Sequence, residues 1–421
     1  MKKMNTRILL IAVLGFTLIN GCTKDPAASL FDPNYANGLQ PVMTAVTPEN
    51  AAYAIAGVTT LDLVGSNFTT DISKMIVYFD AVPAQILSAT PTLIQVRTPN
   101  FYKDSVKVRV SVIGVEKFSE IKYINIKPSI VNADSIDFTK EEAASVAADK
   151  YGNIFVSMTS TSGLGLGVYK FGPNGTRTKY ALNIGAFTSY PSMKVGPGDT
   201  VFATLVGQAG ILYFDPTTVA APKFFVRGTT NPPLKIVKDF DYDAQKNIWA
   251  GGDGLGAGIF RIDRLKNVTE FPFSGVVNAV RVYNNALYVA ATIATSASPS
   301  EIVYKIPINA ADTSLGTPVK YFELTAQSGY ESNKITAIAF DADGVMYVGT
   351  NGTAGILVVT GQNAAPTPLY FGLIGSSVLT FQWGTGTVLY VVKLNDVSSK
   401  TPQVLLKVDM QKQSAPYYGR E

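Results

Sequence analysis

Six four-residue segments with a common pattern recur through the carboxyl-terminal two thirds of the chain, and this repeat limits the possible folds more than any other feature. Each segment contains an apolar residue, then an aromatic residue, then valine or alanine. The aromatic residues are separated by 47, 47, 39, 59 and 43 residues. A period of 20 to 50 residues is typical of repeat architectures. The segments are Asn-Ile-Phe-Val (153–156), Thr-Val-Phe-Ala (200–203), Asn-Ile-Trp-Ala (247–250), Ala-Leu-Tyr-Val (286–289), Val-Met-Tyr-Val (345–348) and Val-Leu-Tyr-Val (388–391).

The residues that follow each segment predict further β-strands. A variable loop and another apolar strand come next, at residues 167–171, 210–214, 258–262, 301–306, 355–359 and 404–408. Fourth strands with aromatic residues follow at 179–180, 224–225, 271–273, 321–322, 370–371 and 417–418. Six units of four strands predict an all-β, six-bladed β-propeller over residues 135–421. Because the last aromatic pair stands at the carboxyl end, we expect the ring to close without exchanging a strand. Trp249 and Trp383 are both expected in the propeller core.

The stretch Asp341-Ala-Asp343-Gly344 has two interpretations. Two carboxylates one residue apart before a glycine are typical of the start of a calcium loop, and the same residues suit a tight turn. A repeat segment follows directly, and Asp149-Lys-Tyr-Gly152 takes the same place before the first repeat segment. This position favours a hairpin turn between the first and second strands of the fifth blade.

The first repeat, Ala147-Ala-Asp149-Lys-Tyr-Gly152-Asn153-Ile-Phe-Val156, resembles the repeats of NHL-type and SMP-30-like six-bladed propellers. The second group includes calcium-dependent lactonases, in which carboxylate and amide oxygens hold a hard cation near the mouth of the channel. The resemblance implies that Glu141 or Glu142 would be a metal ligand. Asp253, Glu331 and Asn351 are the other acids and amides on the same expected face.

The chain departs from the lactonase pattern at two places. The family's Glu-Gly-Pro is Glu142-Ala-Ala here, and Ser157 or Met158 stands where an aspartate commonly ends the second strand. There is also no histidine in the chain, which excludes an imidazole general base, an imidazole zinc ligand and every triad that needs one. We therefore favour a protein without catalytic residues, metal or required cofactor, and keep calcium-dependent hydrolysis as an alternative.

Residues 41–127 predict a separate immunoglobulin-like sandwich. Ser105-Val-Lys-Val-Arg-Val-Ser-Val112 alternates strictly between apolar and polar residues, as a half-buried strand does. The elements Leu61-Asp-Leu-Val-Gly65-Ser-Asn67-Phe68 and Thr98-Pro99 resemble those of IPT/TIG domains. The resemblance implies a spacer or an interaction surface that carries no chemistry.

The amino terminus predicts export and a lipid anchor. Lys2, Lys3 and Arg7 precede the apolar run 8–19, and Ile19-Asn20-Gly21-Cys22 follows. This order is typical of a secretory signal peptide, expected over residues 1–21. Its end resembles a bacterial lipobox, which implies diacylation of Cys22, the only cysteine. Residues 22–40 have no apolar periodicity and predict a tether.

The charge of the chain argues against nucleic acid as a partner. The formal net charge is +4, and removal of the three cations before residue 8 lowers it to +1. A basic footprint for nucleic acid is therefore absent from the sequence.

The loops that join second to third strands, and those that join blades, generally share the ligand-binding face of a propeller. They are rich in Gly, Ser, Thr and Asn here. We expect their aromatic side chains to stack on sugar rings and their amides and acids to bind sugar hydroxyls. The candidates for stacking are Phe187, Tyr190 and Tyr330, and those for hydrogen bonding are Asp253, Glu331, Asn333, Asn351 and Asn395.

Three functions remain open from the sequence. An anchor, a tether, an immunoglobulin-like module and a propeller together resemble Gram-negative outer-membrane lipoproteins encoded with glycan-uptake systems. This implies a surface-exposed protein that binds a polysaccharide or oligosaccharide beside an outer-membrane transporter. The alternatives are a protein-binding scaffold at the outer membrane and the calcium-dependent lactonase. Fold alone does not decide among them.

Overall fold

The computed structural model describes residues 38–48, 53–133, 135–186, 188–253, 258–296, 298–375, 377–394 and 402–420. The chain divides into two compact units. One contains residues 60–97 and 105–124 with the described residues before 49, and the other contains 53–59, 98–104 and 125–420. The helices of the described ranges are short 3₁₀ turns at Ile72–Lys74, Pro197–Asp199 and Leu369–Gly372. In these ranges, no helix has the length and apolar character needed to cross a membrane.

Two sheets form the immunoglobulin-like sandwich, which confirms this part of the predicted fold. Their orders are β1-β3-β7-β6 and β2-β9-β8-β4-β5. Alternate residues of each long strand face the core, and Leu61, Val77 and Val108 are fully buried. The strands are β1 (Val42–Pro48), β2 (Ala54–Ile55), β3 (Thr60–Ser66), β4 (Met75–Phe79), β5 (Val82–Pro83), β6 (Gln85–Ala89), β7 (Leu93–Arg97), β8 (Lys103–Val112) and β9 (Lys122–Lys127).

The propeller is built from the remaining strands, which form six four-stranded antiparallel sheets within the described ranges. The strands are β10 (Ile130–Asn132), β11 (Glu141–Ala148), β12 (Ile154–Ser160), β13 (Gly165–Phe171), β14 (Arg177–Ala181), β15 (Met193–Gly196), β16 (Thr200–Thr204), β17 (Gly210–Tyr213), β18 (Lys223–Arg227), β19 (Asp239–Tyr242), β20 (Ile248–Gly251), β21 (Gly258–Ile262), β22 (Val268–Pro272), β23 (Val276–Tyr283), β24 (Ala286–Ile293), β25 (Ser300–Pro307), β26 (Val319–Glu323), β27 (Ile335–Phe340), β28 (Met346–Thr350), β29 (Ile356–Val359), β30 (Thr367–Pro368), β31 (Val378–Trp383), β32 (Val388–Leu394) and β33 (Gln403–Asp409).

The innermost strands of the six sheets, β11, β15, β19, β23, β27 and β31, contact one another in a closed cycle. Blades one to five use four consecutive strands each, from β11 to β30. The aromatic repeat residues lie on the second strands; five of the six are buried between blades, and Tyr390 is half-buried. Trp249 and Trp383 are 0% and 5% exposed, which confirms their assignment to the core.

The sixth blade differs from the prediction that the ring closes without exchange. Its order is β31-β32-β33-β10, so its outer strand comes from the residues before the first blade. Ile130, Val131 and Asn132 pair with Val408, Lys407 and Leu406. The predicted fourth strand at 417–418 is therefore wrong, because β10 already satisfies the free edge of β33. The predicted fourth strand at 370–371 is also wrong, since Thr367–Pro368 pairs with β29 and a 3₁₀ turn follows.

The carboxyl-terminal residues after β33 run instead along one face of the propeller and bond to five blades. The amide of Ala415 donates to the carbonyl of Phe340 at 3.1 Å, and the Tyr417 hydroxyl donates to that of Val195 at 2.7 Å. Lys246 donates to the carbonyl of Tyr418 at 2.8 Å. Arg420 donates to the carbonyls of Ala148 at 2.8 Å, Gly384 at 3.0 Å and Trp383. This segment closes the central channel at the end where first and second strands turn.

The Asp341 stretch is a turn. One oxygen of the Asp341 carboxylate accepts the amides of Asp343 and Val345 at 3.0 and 2.9 Å, and the other accepts the Tyr347 hydroxyl at 3.0 Å. Gly344 has φ +84°, which a side chain would strain. Asp149 binds the amides of Tyr151 and Asn153 in the same way. These carboxylates therefore fix the hairpins, and the interpretation as a turn is confirmed.

Candidate functional site

A cavity of about 370 Å³ opens at the end of the propeller opposite the carboxyl-terminal segment. It lies where the inner strands begin and the second strands end, the face that the sequence predicted for ligands. Its walls come from blades two to six, so one small molecule could contact most of the ring. The lining residues are Pro191, Ser192, Val206, Gly207, Ile236, Val237, Lys238, Asp239, Asp253, Asn278, Arg281, Thr336, Ala337, Leu379 and Thr380.

The floor of the cavity is a buried ion pair. An Arg281 terminal nitrogen lies 2.9 Å from Asp239, and both side chains are 10% exposed. Asp239 also accepts from the Ser192 hydroxyl at 2.6 Å and the Val280 amide at 3.0 Å. Burial alone would raise the pKa of Asp239, but Arg281 and Lys194 hold it below its usual value. The pair is therefore fixed in place and charged.

The rim of the cavity carries a second, more accessible ion pair. The Lys238 ammonium lies 3.0 Å from the Asp253 carboxylate, and their side chains are 39% and 41% exposed. Nearby, Asn278 donates to the Thr292 hydroxyl at 2.9 Å and to Glu301 at 3.3 Å. A partly exposed pair of this kind contributes little to stability. It can exchange its hydrogen bonds with a ligand at low cost.

Below the floor, the channel holds two more charged groups. The Lys194 ammonium is 3% exposed and donates to the Gln382 amide oxygen at 2.8 Å. Burial, assisted by Arg281, lowers the pKa of Lys194 to about 8. Burial also raises the pKa of Asp241, and one of its oxygens has no hydrogen-bond partner among the described residues. A chamber of about 40 Å³ separates this layer from the carboxyl-terminal segment.

The structure places one of the predicted binding residues, Asp253, in the cavity. The prediction for Tyr190 as a stacking platform is wrong. Its ring is fully buried and packs edge-on against Phe214, with the ring centroids 5.2 Å apart. The backbone amide of Tyr190 donates to the Ser157 hydroxyl at 3.1 Å. The residue lies just before β15 and turns inward because that site is a gap between the first two blades.

Four predicted residues lie together beside the cavity, on the loops of blades four and five. The Asn351 side-chain oxygen accepts the amide of Lys334 at 2.7 Å, and Asn333 lies against Gly352. The Glu331 carboxylate is exposed and accepts the amide of Gly329 at 3.0 Å. Tyr330 is half-buried against the core between these blades. None of the four belongs to the cavity lining, so their role in binding stays a prediction. Phe187, Asn395 and Cys22 lie outside the described residues.

Of the two glutamates that the lactonase resemblance suggested, Glu141 is committed to an ion pair and Glu142 is buried with one oxygen, Oε1, that has no hydrogen-bond partner among the described residues. Both oxygens of Glu141 lie 2.7 Å from Arg177 in a two-point ion pair. Glu142 is 6% exposed, and burial raises its pKa. In the described part of the chain, no three acidic, histidine or cysteine side chains converge as a metal site would require.

The sequence reasoning missed the residues that form the floor: Ser192, Asp239 and Arg281. Asp239 and Arg281 stand on buried inner strands, β19 (Asp-Phe-Asp-Tyr) and the mostly apolar β23. A charged residue at an inward-facing position of a buried strand is costly unless it is paired. This signal could have identified them, because Lys194, Asp239, Asp241 and Arg281 all occur in the first strands of blades two to four.

Comparison with protein families identifies two parts of the chain. Residues 41–123 are an IPT/TIG domain. Residues 329–352, which include the turn at Asp341, match the "two component regulator propeller" repeat. No curated protein sequence matches the chain significantly.

Several solved structures that resemble this chain come from Bacteroides. A Bacteroides thetaiotaomicron protein described as a candidate phosphatase is 9% identical, with a TM-score of 0.50, and covers 90% of this chain and 98% of its own. An auxiliary nutrient-binding protein of the same organism is 10% identical, with a TM-score of 0.48 and coverages of 90% and 98%. A regucalcin of Agrobacterium tumefaciens, a calcium-binding protein, is 12% identical, with a TM-score of 0.47 and coverages of 68% and 96%. At these identities the likeness concerns the fold alone.

Proposed function

We propose that the chain is a lipid-anchored binding protein of the bacterial cell surface, and that its propeller cavity holds the end of an oligosaccharide. The observation that carries this proposal is the cavity of about 370 Å³ on the loop face. Its size is at the lower end of the usual range for ligand pockets, about 300–1,000 Å³. One or two sugar units fit this space better than a long chain lying flat.

The chemistry of the lining suits a neutral ligand rich in hydroxyl groups. Two cations, Lys238 and Arg281, are matched by two acids, Asp239 and Asp253. A strongly charged ligand would therefore meet no excess of opposite charge. A sugar hydroxyl both donates and accepts hydrogen bonds, so it can insert between the members of the rim pair and satisfy both.

The mode of binding differs from the stacking that the sequence suggested. None of the described lining residues is aromatic; the apolar wall consists of aliphatic side chains and Pro191. We infer that hydrogen bonds fix the sugar and that aliphatic side chains contact its less polar face. Stacking by Phe187 or Tyr330 would add to this at the rim.

The anchor and the domain order support a place at the cell surface. Cys22, once diacylated, would hold the chain in the outer membrane, and the tether would join this anchor to the two domains. A binding protein placed there would pass its sugar to an outer-membrane transporter, the partner we propose. Hydrolysis is less well supported, because Glu141 is bound to Arg177 and the acids of the cavity are in ion pairs.

Isothermal titration of the full-length protein with a panel of neutral oligosaccharides tests this function. Lys238→Ala removes one member of the rim pair, and we expect at least about tenfold weaker binding, because a hydrogen bond to a charged group contributes about 1.5–3 kcal/mol and each 1.4 kcal/mol is about tenfold. Lys412→Ala is the matched control, since Lys412 pairs with Asp343 at 2.7 Å on the opposite face. It should bind like the wild type.

Three outcomes would contradict the proposal. The first is that no oligosaccharide binds. The second is equal weakening by both substitutions, which would place the ligand elsewhere. The third is release of a hydrolysed product that EDTA abolishes, which would favour the calcium-dependent lactonase instead.

A further inference from the structure

Exposed apolar side chains cluster where the tether joins the sandwich. The loop between β8 and β9, residues 113–121, is called here the tether-side loop. Ile113 is 67% exposed, Phe118 39% and Ile121 44%, and Leu39, which precedes β1, is 76% exposed. A large aliphatic side chain in water is unremarkable alone. Four such side chains near the start of the described chain form an apolar patch, and a patch of this kind commonly marks a contact surface.

Backbone and side-chain hydrogen bonds hold the tether to this loop. The amide of Gly38 donates to the carbonyl of Gly114 at 3.0 Å. The Gln40 side chain donates to the carbonyl of Phe118 at 2.7 Å. Residues 38–40 therefore lie along the tether-side loop, and the chain that leads back to Cys22 begins at the patch.

We propose that Leu39 and the tether-side loop insert into the interfacial layer of the membrane to which Cys22 is anchored, so that the sandwich is held against the bilayer at two points. This rests on the lipid anchor of the proposed function and adds a contact that the anchor does not require. The occupant of the patch is a lipid surface, because the patch surrounds the place from which the anchored segment departs.

The length of the connecting segment makes this contact favourable. Fifteen residues separate Cys22 from Gly38, and a chain of that length reaches at most about 55 Å. The patch is thus kept close to the membrane at a high effective concentration, and weak apolar contacts suffice to hold it there. Without the anchor, one loop of this size would bind only marginally, as a single short acyl chain does.

The charges of the loop indicate that the attraction is apolar. Within the tether-side loop itself, Glu116 and Glu120 outnumber Lys117, so the loop has no basic excess to attract anionic lipids. The Phe118 ring also lies under Arg109, whose guanidinium carbon is 4.4 Å from the ring centre. We therefore expect insertion into zwitterionic phosphatidylcholine, with little dependence on salt.

Fluorescence quenching by brominated lipid tests the proposal. The two native tryptophans, Trp249 and Trp383, are buried in the propeller, so a new tryptophan on the sandwich can be measured by difference. Full-length lipidated protein with Ile113→Trp is reconstituted in phosphatidylcholine vesicles with and without bromine near the headgroups. We expect about a twofold loss of the added emission, because an interfacial side chain lies within reach of the label.

Val82→Trp is the matched control. Val82 is 42% exposed and follows the far end of β4, which pairs with the β8 end of the loop through Met75 and Val112. It lies roughly 15 Å along the strand direction from that pair, and it should not be quenched. Both sites are exposed, so the melting temperatures of the variants should match the wild type.

The outcomes separate this inference from the proposed function. If wild-type protein floats with vesicles and Cys22→Ser protein does not, the anchor stands. Unquenched Ile113→Trp in such floating protein would overturn the insertion alone. Equal quenching of Val82→Trp would also overturn it, since the whole surface would then be adsorbed. Failure of the wild type to float would refute the anchor and the insertion together.

Discussion

Replacing Arg420 with alanine should destabilise the propeller far more than the position of this residue, one from the end of the chain, suggests. The guanidinium donates to the carbonyls of Ala148 and Gly384 at 2.8 and 3.0 Å and to that of Trp383. These carbonyls belong to blades one and six, where the ring closes. Arg420→Ala leaves all three without this donor.

The size of the effect follows from the number and kind of bonds. A hydrogen bond to a charged group contributes about 1.5–3 kcal/mol, and three bonds made by one partly exposed side chain do not add fully. We expect a loss of about 3–5 kcal/mol in the free energy of unfolding. For a large domain, each kcal/mol shifts the melting temperature by about 2–4 °C, so the shift should be about 6–20 °C.

Tryptophan emission during thermal unfolding measures this effect on the correct domain. Both tryptophans lie in the propeller, so unfolding of the sandwich does not contribute to the signal. Lys412→Ala, which removes an exposed ion pair on the same face, is the control and should cost at most about 1 kcal/mol. A shift for Arg420→Ala no larger than for Lys412→Ala would refute the reasoning that the terminal segment helps to close the ring.

Three other predictions concern the core and the closure of the ring. Tyr190→Ala should lower the free energy of unfolding by about 3–5 kcal/mol in denaturant, because it empties a fully buried aromatic site, while Tyr190→Phe should lower it by less than about 1.5 kcal/mol. If both variants weakened sugar binding equally without loss of stability, Tyr190 would be restored as a ligand residue. A variant with Val131→Cys and Lys407→Cys should form a disulfide, because these residues face each other across β10 and β33. A disulfide that formed instead in the variant with Val131→Cys and Tyr418→Cys would contradict the strand exchange. Burial lowers the pKa of Lys194 to about 8, so above that pH the unfolded state binds more protons than the folded state. The stability of the wild type relative to Lys194→Met should therefore rise between pH 8 and 9.5. If the free energy of unfolding in urea, relative to Lys194→Met, fell over that range, the sign would be wrong.

Much of the fold could be predicted because strong local patterns coincide with it. Each repeat aromatic, such as Tyr347 or Trp249, marks a second strand, and the Asp341 turn precedes one of them. The strand that closes the ring could not be predicted in this way. Ile130–Asn132 has three residues, too few to show a period of two, and its partner β33 lies more than 270 residues away.

The candidate site was harder to predict than the fold. The sequence indicated the face on which the cavity opens, because loop positions follow from the repeat, and it identified Asp253, which lines the cavity. It could not show that Tyr190 turns inward, since an aromatic residue in a loop has no periodic neighbours that reveal its direction. The floor pair of Asp239 and Arg281 joins two blades, and such a contact becomes visible only when the ring is assembled.

Hydrogen exchange of the full-length protein, with and without a saturating neutral oligosaccharide, tests most directly whether the loop-face cavity is the binding site. Exchange should slow at the backbone amides of residues 206–207, 236–239, 336–337 and 379–380, which line the cavity on four blades. Slowing confined to the sandwich or to residues 411–420, or no change with any sugar, would contradict the account.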